Sequence, residues 1–303
     1  MNQLQIFREN IVWHQVVILM MSFYLLADMF SGFAVIYLGV DLKISLIYKM
    51  PILFLLLVLL GMHNLKLMLW VVCSILIFFI GPFYQLMQLG RADLFVFDFA
   101  LILKIMMPII VFLYFRSIFK FHPDFAAKSV EKILWSGFFI LTVNFIIGAL
   151  GFGKSTYQLG EEDGAGSTGL ILAGNELGGA FLVTFGFALH KVWNTQGLTK
   201  YILLSLFTVM CGVSVATKTT MLASILIVFL IPIANERERL YFLTRLKAII
   251  FLPLISIGVT IVILIVDILE QIGLYDRIMW FYQQRGLVGI LLSGRDDMAE
   301  DRA

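Results

Sequence analysis

Residues 201–233 read YILLSLFTVMCGVSVATKTTMLASILIVFLIPI, and this stretch decides the fold. As one helix of 33 residues it would run about 50 Å at 1.5 Å per residue. The hydrocarbon core of a bilayer is only about 30 Å thick. The stretch must therefore fold back on itself, and its polar break is Thr217-Lys218-Thr219-Thr220. The arms 201–216 and 219–233 are each slightly short for a full span, which places Lys218 below the membrane surface, in a cavity. Thr217 is the expected N-cap of the second arm. A helix N-terminus beside a lysine is a natural anion site. The competing reading is a turn lysine that snorkels to the headgroups.

The rest of the chain has the same character. It is 61% hydrophobic and 14% charged, with a mean hydropathy of +0.97. A soluble domain is about 25% charged, and a soluble chain of 303 residues has no interior large enough for this much apolar surface. The bilayer must be the solvent. Spans are expected near 11–38, 44–62, 65–84, 95–115, 133–150, 170–190, 201–216, 219–233 and 248–268. The first is too long for the apolar region of a signal peptide and lacks a small-x-small cleavage site. The expectation is an all-α, polytopic integral membrane bundle of about nine transmembrane helices, forming a single domain over 1–303.

Orientation follows from the basic residues. With the N-terminus in the cytoplasm, twelve of the 22 lysines and arginines fall inside and nine outside, while Lys104 lies within a span. The bias is strongest in the segments 116–132 and 234–247. Two outer segments are then long. Segment 151–169 is Gly-rich and acidic, and segment 269–303 is amphipathic and aromatic, with Tyr275, Trp280, Phe281 and Tyr282 suited to an interface.

Several signals are set aside. The run Gly148 to Ser155 matches the nucleotide-binding pattern G-x-x-x-x-G-K-[ST], but that pattern works only as a loop between a strand and a helix. Here a membrane helix precedes it and no helix is expected after it. Cys73 and Cys211 lie in apolar runs and carry no metal pattern. His14, His63, His122 and His190 lie near span ends without a ligand partner at i+3 or i+4, so no metal and no cofactor are expected. A net charge of +2 argues against nucleic acid as a partner. Asp98 and Lys104 lie about 120° apart around the fourth span and do not pair directly. Asp28, near the outer part of the first span, is a minor candidate.

The residues left over gather on the outer face. Gly174-Asn175-Glu176-Leu177-Gly178 opens the sixth span. Its glycines permit close helix contact, and Asn175 and Glu176 would line the outer mouth with Thr217 and Thr219. Glu176 is the carboxylate placed to accept a proton from a substrate hydroxyl; capping and packing is the alternative. In the last segment, Arg285 and Arg295 flank a short apolar run, and Arg295 sits in a Ser293-Gly294-Arg295-Asp296 turn. The planar, permanently charged arginine fork suits phosphate. Arg285, Arg295 and Lys218 could together hold a diphosphate, or the arginines could anchor at anionic headgroups.

Three of these pieces carry a resemblance. The Gly169–Gly178 opening with its Asn-Glu pair, the Thr217–Thr220 hairpin and the Ser293–Asp296 loop resemble, in order and sidedness, motifs of the O-antigen polymerase and O-antigen ligase superfamily. The likeness covers roughly residues 95–303. It implies glycan transfer from an undecaprenyl diphosphate carrier to an acceptor hydroxyl, on the outer face of a bacterial inner membrane. Lys218 and Arg295 stand where family residues engage the diphosphate, with Lys218 in place of the commoner arginine. Family members continue beyond the arginine loop into further spans, so the chain is expected to be a truncated product of a longer gene.

The function expected on this reading is metal-independent polymerisation or ligation of surface polysaccharide. The implied partners are the lipid-linked oligosaccharide, membrane lipids and other polysaccharide-assembly proteins. The rival expectations are a transporter or flippase of lipid-linked saccharides, and an inactive fragment or scaffold.

Overall fold

A computed structural model describes residues 7, 9–90, 92–158, 164–172, 174–236, 279 and 283. The expected ninth span lies outside these residues. So does the 269–303 segment apart from two positions, and with it Arg285 and Arg295.

The described residues are all-helical save for one small hairpin. The elements are α1 (Ile11–Ser22), α2 (Tyr24–Leu38), α3 (Ile44–His63), α4 (Leu65–Leu89), α5 (Ala92–Phe121), α6 (Pro123–Ala149), β1 (Ser155–Gln158), β2 (Gly164–Ser167), α7 (Gly174–Thr195), α8 (Leu198–Val215) and α9 (Lys218–Glu236). Among the described residues, six helices are long and apolar enough to cross a membrane: α3, α4, α5, α6, α8 and all but the first residue of α9. The pair α1 and α2 adds a seventh if counted as one bent span. The protein is thus an α-helical membrane protein. The chain divides into two compact units, Met1–Leu141 and Thr142–Ala303, with the division falling inside α6.

In the first unit, α3 packs against α1, α2, α4 and α5. Its core is aliphatic, with Ile52, Leu56, Leu59 and Leu60 of α3 meeting Val17, Ile102, Met106 and Ile110. α4 is the outlying helix: Leu69, Trp70, Leu76, Ile77 and Phe83 are exposed, as expected of side chains that face lipid. The apolar run 11–38 does not form one straight helix. It breaks at Phe23, where α1 and α2 meet at 43°. Two side chains bond to the backbone beside the break. Ser22 Oγ donates back to Ile18 O at 2.8 Å, a bond that bends helices. Tyr48 Oη donates to Met20 O at 2.9 Å, a carbonyl that also accepts from Phe23 N at 3.1 Å in a tighter i→i+3 turn.

Just beyond the break, Asp28 pairs with Lys49 Nζ at 2.7 and 3.0 Å and accepts from Ser45 Oγ. The Lys49 ammonium also lies 5.0 Å from the centre of the Tyr24 ring. Charges within spans are costly unless paired, and here α2 and α3 neutralise one another.

In the second unit, α7 packs on both α8 and α9. Its residues Leu177, Phe181, Phe185, Ala188 and Leu189 are buried. The Phe181 and Phe185 rings meet at 4.6 Å, and each also meets Phe145 of α6. α7 is not among the six apolar helices.

Candidate functional site

The break between α8 and α9 falls where the length argument requires it. α8 ends at Val215, Ala216 takes a left-handed conformation at φ 58°, and α9 begins at Lys218. Thr217 caps α9 as expected: its Oγ1 accepts from Thr220 N at 3.2 Å, and the two threonine hydroxyls are 2.5 Å apart. Thr220 is buried and Thr219 is exposed. Replacing Thr217 with alanine is expected to cost about 1 kcal/mol, the usual worth of a cap, while serine keeps most of it and Thr219→Ala changes little. Thermal unfolding of the three variants in one detergent checks the order.

α7 reaches this break through Gly178. A Cβ on that glycine would sit 2.9 Å from Thr220 Oγ1, so the first turns of α7 and α9 touch there. At the far ends of the same helices, Trp193 Nε1 donates to Glu236 Oε1 at 3.3 Å. Tied at both ends, α7 and α9 run parallel, and their N-termini lie side by side. Each N-terminus carries a partial positive charge of about half an elementary unit. The backbone of Asn175 and Glu176, in the first turn of α7, is thereby brought beside Thr217, Lys218 and Thr219.

The Gly-rich segment, expected as an outer loop, contains a structured hairpin. β1 and β2 pair antiparallel, with Ser155 opposite Ser167 and Tyr157 opposite Ala165. The hairpin docks on the helix break: Thr156 Oγ1 donates to Val215 O at 2.7 Å. Its return limb is fixed from below by Asn144, which is fully buried near the end of α6. Asn144 Nδ2 donates to Thr168 O at 2.9 Å, and Asn144 Oδ1 accepts from Leu170 N at 2.8 Å. Between those two residues, Gly169 adopts φ +63°, and a Cβ there would collide with the Asn144 carboxamide. Only glycine satisfies both conditions.

The same geometry removes the nucleotide-loop pattern. The run 148–155 follows α6 and leads into a strand, the reverse of the order a phosphate loop needs. The Lys154 amide donates to Gly169 O at 2.9 Å, and Lys154 O accepts from Thr168 N at 3.0 Å. The backbone that would cradle phosphate is spent on the hairpin.

The expected residues therefore fall into two groups. Asn175, Glu176, Thr217, Lys218 and Thr219 are gathered at two adjoining helix N-termini, whereas Arg285 and Arg295 lie outside the described residues. Sequence reasoning missed Asn144 and the hairpin it supports. An asparagine inside an apolar run and a cluster of five glycines between 160 and 174 were the available signals. Comparison with protein-family models, with curated proteins and with solved structures returns no match.

Proposed function

We propose that the protein transfers or polymerises lipid-linked oligosaccharide units in the synthesis of a bacterial surface polysaccharide. The observation that carries this reading is the contact of Gly178 with Thr220, which lays two parallel helix N-termini together under a hairpin. Preorganised dipoles aimed at one spot stabilise charge that develops there. A sugar diphosphate leaving group gains such charge as its glycosidic bond breaks. On this reading Lys218, with Arg285 and Arg295 from the last segment, neutralises the leaving diphosphate. Asn175, Thr217 and Thr219 line the mouth. Glu176 accepts the proton of the attacking hydroxyl, which leaves it a carboxylic acid once the new glycosidic bond has formed. The N-terminus is cytoplasmic and the site faces the outer side of the inner membrane, where the carrier lipid presents its glycan.

A second reading, transport of lipid-linked saccharides, draws on the first unit. A broken span beside an intramembrane ion pair, as at Phe23 and Asp28–Lys49, is a feature of transporters. The two readings part on one residue. Arg295→Ala is expected to abolish chain extension in cells, seen as loss of the polysaccharide ladder on a gel while lipid-linked units accumulate. A normal ladder in that variant sinks the transferase assignment.

A further inference from the structure

α9 carries a proline, Pro232, one turn from its end, and that residue is buried. Proline has no N–H, so the carbonyl four residues before it, Val228 O, loses its helical donor. Within a membrane span, a group freed in this way is satisfied from elsewhere in the protein. Tyr201 supplies the partner. Its Oη donates to Val228 O at 2.5 Å, across 27 residues of sequence. Tyr201 stands in the first turn of α8 and is fully buried, and Val228 is buried in the same apolar core.

A second tie lies on the far side of the proline. Trp193, near the end of α7, donates through Nε1 to Glu236 Oε1 at 3.3 Å. The Trp193 ring also meets the Tyr201 ring edge-on at 4.9 Å. The end of α9 is thus held by α8 just before Pro232 and by α7 just after it. Burial falls away past the proline: Val228 and Pro232 are buried, whereas Ile233 and Ala234 are exposed. An interrupted backbone ladder, side-chain ties on either side and little burial beyond them mark a segment of low local stability.

We propose that Pro232 is a hinge and Tyr201 its lock. While the Tyr201 hydroxyl holds Val228 O, the turn 233–236 lies shut against α7 and α8. When that bond breaks, the turn swings away at Pro232 and water reaches the freed carbonyl. The arrangement depends on the proline. With any other residue at position 232, a backbone N–H would serve Val228 O and the tyrosine hydroxyl would be dispensable. The hinge lies at the opposite end of α9 from Lys218, and it does not rest on the proposed glycan transfer.

The test is hydrogen exchange of the intact protein in lipid nanodiscs, comparing wild type, Tyr201→Phe, Pro232→Ala and the double variant. Tyr201→Phe is expected to lower amide protection over residues 233–236 at least about fivefold, because the shut form then leaves a buried carbonyl unpaired. Protection over residues 219–227, on the other side of the hinge, should stay within about twofold of wild type. Pro232→Ala returns a backbone donor to Val228 O, so in that background Tyr201→Phe is expected to change residues 233–236 by less than about twofold. Should Tyr201→Phe alone fail to fold, adding Pro232→Ala is expected to restore the folded protein. The lock is overturned if Tyr201→Phe leaves residues 233–236 as protected as in wild type, or if protection falls equally over 219–227. It is overturned as well if the effect of Tyr201→Phe keeps its size alongside Pro232→Ala, or if Pro232→Ala does not rescue a Tyr201→Phe protein that fails to fold.

Discussion

Replacing Asn144 with leucine is expected to destabilise the second unit by about 3–5 kcal/mol. The side chains are close in volume, so the cost lies in the polar groups. The two hydrogen bonds from Asn144 satisfy Thr168 O and Leu170 N. Leucine removes both partners and leaves two backbone groups buried without one, at about 1–3 kcal/mol each. The loss should not stay local. Gly169 is shaped to the carboxamide, and the hairpin that follows α6 rests on that stretch. Limited proteolysis is therefore expected to cut between 155 and 169 in the variant under conditions that spare the wild type. Asn144→Asp should be intermediate, because it keeps the acceptor for Leu170 N and loses the donor to Thr168 O. A measured loss below about 1 kcal/mol for the leucine variant would mean that the hairpin is held by something other than Asn144.

The second large effect concerns activity. Lys218→Ala is expected to lower glycan transfer at least about 100-fold, the usual consequence of removing one preorganised group that stabilises developing charge. Lys218 is the first residue of α9, and the parallel start of α7 adds a second dipole of the same sign beside it. A cation at that point reinforces the field and meets an anion where two sets of free helix amides converge. Arginine should keep most of the activity and can improve it, since its fork binds phosphate oxygens in pairs. The pair of substitutions separates charge from packing: a purely structural lysine would tolerate methionine as well as arginine, whereas a diphosphate ligand would tolerate arginine alone.

The membrane helices were legible in the sequence because the bilayer imposes a length. The runs 44–62 and 65–84 became α3 and α4 with starts as read. The 33-residue run had to fold back, and it did so at its polar tetrad, with Thr217 as the cap. Features that depend on tertiary contact were not legible. The break at Phe23 lies in an apolar run without proline, and Tyr48 reaches it from the next helix. The Asp28–Lys49 pair joins two spans that were read separately. The approach of His14 Nε2 to His63 Nε2 was not legible either, because it forms only once α1 and α3 have packed. The Gly-rich segment looked irregular because glycine gives no strand pattern, yet Gly166 and Gly169 are what allow it to lie close to α8 and α6. The approach of Gly178 to Thr220, which brings the first turns of α7 and α9 together, also appears only in the packed structure.

The central claim is that the adjoining N-termini of α7 and α9 serve a reaction on a lipid-linked diphosphate. The most direct measurement places the purified protein in sealed vesicles with an undecaprenyl diphosphate oligosaccharide carrying a labelled sugar. The account predicts that label moves from the carrier to an acceptor glycan, with release of undecaprenyl diphosphate, and that Lys218→Ala stops this without unfolding the protein. Label that crosses from one leaflet to the other while remaining on its carrier, unaffected by Lys218→Ala, would contradict it.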